Sequence, residues 1–171
     1  FSSFKLSYNR LQQFIHLISN TAAATPVDVW QVSNRFISPQ RAHNFGLGYF
    51  HNFDDNSWET SLEVYYRSID NQLAFKDLPD LFLNDQLETE TLQGKGRAYG
   101  AELYIKKHTG RLTGWLSYAY ARSLLQVQGD FPEETINSGE WFPADFDQPH
   151  QLTLFLRQEV TPTQVFTANF I

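Results

Sequence analysis

Between Gly94 and Arg122 the chain reads GKGRAYGAELYIKKHTGRLTGWLSYAYAR, and no other stretch limits the possible folds as strongly. Two limbs, Arg97 to Lys107 and Arg111 to Arg122, are joined across His108, Thr109 and Gly110. On the first limb Tyr99, Ala101, Leu103 and Ile105 fall on one face, and Gly100, Glu102, Tyr104 and Lys106 on the other. A period of two is a strand rather than a helix. On the second limb Leu112, Leu116, Tyr118 and Tyr120 oppose Arg111, Thr113, Ser117 and Ala119, with Thr-Gly as the tight connection. The spacing predicts a long hairpin with one apolar and one polar face. Strict alternation puts Trp115 on the polar face, unless the phase shifts at Gly114.

Length gives this hairpin its meaning. Globular strands run about five or six residues, whereas membrane-spanning strands need roughly nine to eleven when tilted. Each limb here has eleven or twelve residues, and the apolar face ends in aromatics, as it does where a strand crosses the lipid interface. The build recurs upstream: Phe45, Leu47, Tyr49 and Phe53 oppose Asn44, Gly46, Gly48 and Asn52. Asp54 to Ser57 then make a turn into 58–68, where Trp58, Leu62, Val64 and Tyr66 oppose Glu59, Ser61, Glu63, Tyr65 and Arg67.

Further strands are expected over 2–18, where Phe4, Leu6 and Tyr8 share a face, over 149–160 and over 164–171. The first carries an irregularity near 10–13, and its FIHLI run has a short helix as the alternative. Residues 19–39, 70–96 and 123–148 read as long connections; LPDLFL in the second is a candidate helix or strand of its own. Long connections alternate with short turns at Asp54, Thr109 and Thr161, so the long ones share one end of an up-and-down sheet. That is the arrangement of outer-membrane barrels. The expected fold is therefore all-β, an antiparallel up-and-down transmembrane barrel segment of about seven strands. A soluble β-sandwich with large binding loops is the alternative. Seven is odd, whereas bacterial single-chain barrels have an even number from eight upward, so the chain is expected to be a consecutive segment of a larger barrel with both edge strands awaiting partners.

Composition excludes other classes. The chain of 171 residues has a mean hydropathy of -0.41 and no run of eighteen apolar residues, which excludes a helical membrane protein. There is no Cys, so disulfides and thiolate metal sites are excluded. A net charge of -6 speaks against a nucleic-acid partner. No signal peptide is visible and Phe1 is not an initiator, so a processed or excised chain is expected.

The stretch GKGRAYGAELYIKKHTGRLTGWLSYAYARS, followed by INSGEWFPADFDQPHQLTLFL, resembles the late barrel region of TonB-dependent outer-membrane receptors, particularly of the Bacteroidetes type. Upstream, SYNRLQQFIHLISN, PVDVW, LGYF and SLEVYYRSIDNQLAF resemble successive pieces of the same barrel, so the likeness covers nearly the whole chain. It implies a 22-stranded barrel filled by an N-terminal plug, with residues 1–171 as part of the barrel domain and the plug and remaining strands outside it. It further implies a location in the Gram-negative outer membrane and uptake of a scarce nutrient such as a metal chelate, cobalamin or a glycan. Energy would come through the TonB complex acting on the plug. The expected partners are outer-membrane lipid and lipopolysaccharide, TonB, the small-molecule or glycan substrate and a surface lipoprotein. An ungated barrel is the competing membrane reading.

Acidity is concentrated in two connections. Residues 69–96 hold Asp70, Asp77, Asp80, Asp85, Glu88 and Glu90 against Lys76 and Lys95, a net of -4. Residues 123–148 hold Asp130, Glu133, Glu134, Glu140, Asp145 and Asp147 with no Lys or Arg, a net of -6. Such a mouth attracts cations, although solvated loop charge is the plainer account. Aromatics with fixed polar groups suit capture of a chelate or sugar, which makes Phe131, Trp141, Phe142, Asp145 and Phe146 the candidate substrate-binding residues. Asp145, Asp147 and His150 are close enough to raise a metal site, but no further His has supporting spacing. The expectation is that Asp147 and His150 satisfy backbone groups where the loop rejoins the strand, and that no metal or cofactor is bound. No nucleophile elbow or phosphate loop is present and the five His are scattered, so no catalytic residues are expected and the chain is not read as an enzyme. In a plugged barrel Glu59, Glu63, Arg67, Glu102, Lys106, Arg157 and Glu159 line the lumen.

Overall fold

A computed structural model describes residues 1–18, 29–76 and 87–171. Among the described residues there are ten strands: β1 (Ser2–Gln13), β2 (Ile15–Ile18), β3 (Val29–Val32), β4 (Gln40–Phe53), β5 (Trp58–Phe75), β6 (Thr91–Lys107), β7 (Leu112–Gln126), β8 (Phe142–Pro143), β9 (His150–Thr161) and β10 (Gln164–Phe170). Seven of them form an antiparallel meander in the order β1-β4-β5-β6-β7-β9-β10, each long strand beside its neighbour in sequence. The short β8 adds to the free flank of β7 beyond the start of β9, through Leu125 opposite Phe142 and Leu124 opposite Pro143. Among the described residues β1 and β10 are each paired on one side only.

The tight turns all lie at one end, and their residues explain them. Asp54, Asp55 and Asn56 take left-handed backbone angles, which short polar side chains tolerate better than most. Ser57 N–H donates to Asp54 O at 2.8 Å to close that turn, and His108 N–H donates to Ser57 O at 2.8 Å to tie it to the next. At the opposite end β5 continues past a register shift at Asn71, whose φ of 57° marks a bulge.

Several strands outrun the alternation that announces them. β5 has 18 residues, about 60 Å of extended chain at roughly 3.3 Å per residue. Its last turn-side limit agrees with expectation, but it ends at Phe75 rather than Ser68, and β6 begins at Thr91 rather than Arg97. There Leu73, Ala74 and Phe75 are apolar in succession and Gly94 and Gly96 interrupt β6, so alternation fades while the ladder of hydrogen bonds continues. The first strand breaks at Phe14, and the FIHLI run enters β2, a strand and not a helix. Its partner β3 lies inside the stretch expected to be loop, in register from Ile15 opposite Val32 to Ile18 opposite Val29. LPDLFL, Asp77, Asp80 and Asp85 lie outside the described residues.

Register is continuous from Lys107 opposite Gly114 to Lys95 opposite Gln126, so the phase does not shift at Gly114. Trp115 keeps to the polar face, opposite Lys106 and Phe155, with the Tyr104 ring 6.3 Å away.

A soluble domain of this size buries about two-thirds of its surface. Here the buried apolar residues among those described are Ile37, Leu92, Val127 and Ala144, all beside the loops, against thirty large apolar side chains that are exposed. Among the described residues the other sheet is the two-stranded β2–β3 pair, too small to be the second layer of the sandwich considered above.

Candidate functional site

The register sorts the side chains into two walls. On the outer wall Phe4, Tyr49, Leu62, Leu103, Tyr118 and Leu152 stand opposite one another across six strands, and Leu6, Leu47, Val64, Ala101 and Tyr120 form the adjacent row. Leu6 is 84% exposed. Rings bound this surface at both ends: Tyr8 packs on Phe45 at 5.0 Å toward the loops, and Phe53 stacks on Trp58 at 5.9 Å toward the turns. From Phe45 to Phe53 is about 26 Å of strand. A tilt near 40° shortens this to about 20 Å, close to the roughly 25 Å apolar band of a membrane barrel.

The opposite face carries Glu59, Glu63, Arg67, Glu102, Lys106, Arg157 and Glu159 together. Glu59 stands opposite Lys106 and Glu63 opposite Glu102, while Arg157 and Glu159 follow Phe155 on the face of Trp115. Arg67 Nε donates to Asn44 Oδ1 at 2.8 Å. Glu59 lies 3.0 Å from His108 Nε2, and Arg157 pairs with Glu159 at 3.0 Å. Glu63 and Glu102 have no ion-pair partner among the described residues, although like charges directly opposite repel. Small residues give this wall its relief: Gly100 faces Tyr65, and a Cβ built on Gly100 falls 2.8 Å from the Tyr65 hydroxyl. Lys5, Ser7, Gly46, Glu63, Tyr65 and Glu102 border a recess of about 190 Å³.

A lipid-compatible band, aromatic margins and a polar reverse face on one antiparallel meander are the properties of an outer-membrane barrel wall. A family model described as TonB dependent receptor-like, beta-barrel, matches residues 3–169. The chain belongs to that family. No curated protein and no solved structure matches the chain.

In this receptor barrel the connection after β7 is built from its return segment. Asp147 Oδ1 accepts the Ser123 N–H at 2.6 Å, and Oδ2 lies 2.9 Å from Arg122 Nε. The second contact is ionic without hydrogen-bond geometry, since Arg122 Nε lacks a hydrogen-bond acceptor. The Asp147 side chain is 6% exposed. Ala144 N–H donates to Ser123 O at 2.9 Å and Ala121 N–H to Pro149 O at 3.1 Å, which completes the seam. Asp147 thus takes the backbone role expected of it, but His150 does not: its Nδ1 meets the Tyr118 hydroxyl at 2.8 Å on the outer wall. Among the described residues no group of three metal-binding side chains converges.

The five candidate substrate-binding residues are not gathered into one pocket. Phe131 and Phe146 are 63% and 69% exposed, and Asp145 is exposed beside Phe146. Phe142 is spent on the short β8 ladder. Trp141 lies under the Arg97 guanidinium, 3.9 Å from ring centre to Cζ, and Arg97 shares the outer face with Tyr99. Sequence reading missed that stacking because a cation–π pair between residues 44 apart leaves no local pattern. The buried Asp147–Arg122 pair had one trace, an acid within the WFPADFDQPH return that rejoins the sheet beside the Ala-Arg-Ser of β7.

Proposed function

We propose that this chain is part of the wall of an outer-membrane transporter that takes up a scarce nutrient, a metal chelate, a cobalamin or a glycan, by gated transport energised through TonB. The observation that carries the reading is the two-sided sheet, apolar and ringed by aromatics outside, charged inside. A water-filled lumen alone would not need the unpaired Glu63 and Glu102 side by side; a plug bearing cationic side chains would satisfy both. Residues 1–171 then form one stretch of the barrel domain, and the single-sided pairing of β1 and β10 fits a wall carried on by further strands. The plug and its TonB contacts belong to other parts of the protein. Glu59, Glu63, Arg67, Glu102, Lys106, Arg157 and Glu159 line the lumen in this reading. Phe131, Asp145 and Phe146 meet substrate at the rim, with Trp141 and Phe142 holding the loop beneath them. The protein moves its ligand and does no chemistry on it.

Cells making the full-length protein test this directly. Growth on the ligand should require TonB, and deletion of residues 128–140 with the WFPADFDQPH return kept should leave the barrel folded while lowering uptake. Uptake that persists without TonB would identify an ungated barrel.

A further inference from the structure

One row of the inner wall carries no charge. It runs through Ser3, Phe50, Ser61, Tyr104, Ser117 and Thr153, which stand opposite one another in register across β1, β4, β5, β6, β7 and β9. The row on its loop side holds Lys5, Glu63 and Glu102, and the row on its turn side holds Glu59 and Lys106. In that turn-side row Trp115 and Phe155 stand opposite each other, and the Trp115 ring lies 6.3 Å from that of Tyr104 with their planes 32° apart. The two rings therefore widen the uncharged row into a ledge. At about 4.8 Å between strands the row makes an arc of about 24 Å. From Ser117 to Gln126, where the long connection begins, is about 30 Å of strand, so the ledge stands well away from the loop-side rim.

Rings and hydroxyls alternate along this arc, and all eight residues of the ledge are half-buried. The Phe50 ring leans back over Gly48, where a Cβ would fall 2.8 Å from its edge, and so lies along the wall. The hydroxyls of Ser3, Ser61, Tyr104, Ser117 and Thr153 and the indole N–H of Trp115 have no hydrogen-bond partner among the described residues. A sugar ring has apolar C–H faces and hydroxyl edges. Aromatic faces match the first, and hydroxyls that both donate and accept match the second. An anionic chelate calls for cations, and this row offers none. An apolar segment of a plug would leave the same O–H and N–H groups unpaired, at a cost.

We propose that Phe50, Tyr104, Trp115 and Phe155, with the hydroxyls set between them, form an exit subsite for a neutral oligosaccharide, which passes along the ledge once the plug has moved. The ledge thus selects the glycan among the three cargo classes and rests on the transporter reading above. Because it is reached only after capture at the rim, it acts on the rate of passage and not on capture.

Cells making the full-length protein are offered short neutral glucans, fructans, mannans and xylans, cyanocobalamin and a ferric hydroxamate, and initial uptake is followed against concentration. The parent should take up a neutral oligosaccharide. Y104A/W115A should lower its maximal rate about tenfold and leave the half-saturating concentration unchanged. W115F, which keeps a ring, should retain most of the rate. Every variant should exclude a bulky antibiotic as the parent does. Heat-modifiable mobility on gels reports folding; should the double variant not fold, Y104A and W115A carry the test singly, each with part of the loss. Entry of the antibiotic would show that the rings hold the plug instead, and a full rate in the variants would show that they hold nothing; either result overturns the ledge. A parent that takes up only cyanocobalamin or the ferric hydroxamate overturns the ledge alone. One that takes up none of these ligands overturns the transporter reading with it.

Discussion

The carboxylate of Asp147 accepts the backbone N–H of Ser123 at 2.6 Å, across twenty-four residues of chain. This bond sits where β7 leaves the ladder it shares with β9, so one acid settles where the long connection departs and where it returns. Hydrogen bonds to charged groups contribute about 1.5–3 kcal/mol each, and Arg122 would lose its counter-charge at the same time. Asp147→Ala should therefore loosen the seam by about 2 kcal/mol. Limited proteolysis within 123–148 reads the effect, and cleavage no faster than in the parent would show that the seam holds without the acid.

Tyr65 and Gly100 make a second, separate test. A Cβ on Gly100 would stand 2.8 Å from the Tyr65 hydroxyl and 2.4 Å from the Tyr120 carbonyl oxygen, and only the first of these can swing aside. Overpacking of this kind costs about 1–3 kcal/mol. Gly100→Ala should lower the temperature at which the folded form loses its gel mobility, and Tyr65→Ala in the same chain should recover only part of the loss. Full recovery would mean that the carbonyl contact is immaterial.

Most of the wall was legible because alternation is a covalent consequence of extended backbone: Leu103 and Glu102 must point apart whatever surrounds them. The same logic placed Trp115 with Lys106 although its ring looks misplaced among polar residues, and register bears it out. What stayed hidden needed pairings between strands. Nothing local in QLAF or in LQGK says that Phe75 meets Thr91, because both faces there are polar or mixed and the period is lost. Likewise β3 is four residues long and is recognisable only beside β2. The candidate binding residues were chosen by type in one loop, and type alone could not tell that Trp141 reaches outward to Arg97.

His16 supplies a pH dependence in that small hairpin. It is 3% exposed, its Nε2 lies 3.0 Å from Ser33 Oγ, and burial pushes its pKa below the ordinary value of 6.5. A depressed histidine favours the folded state only while neutral, so the contribution is complete above pH 6.5 and is lost as pH falls from there toward the lowered folded value. Amide exchange across β2 and β3 should accelerate on going from pH 7 to pH 5, after correction for intrinsic rates. His16→Gln should flatten that response, and an equal acceleration in the variant would assign it to other groups.

Leu103 and Glu102 adjoin on β6 yet face opposite walls, opposite Leu62 and Glu63 respectively on β5. If the apolar wall meets lipid, a charge placed in its middle must be dragged into hydrocarbon, at about 2–4 kcal/mol for Arg near the midplane. Leu103→Arg and Leu62→Arg should each cost that much in folding into phosphatidylcholine vesicles. Glu102→Arg should cost much less, and would set a cation opposite Glu63, where two carboxylates now repel. Ser117→Arg, on the same inner wall opposite Tyr104, should also be mild. Folding free energies from urea titration in the vesicles distinguish the faces. Equal losses at Leu103 and Ser117 would mean that both walls are buried in protein, and the division into lipid and lumen would have to be abandoned.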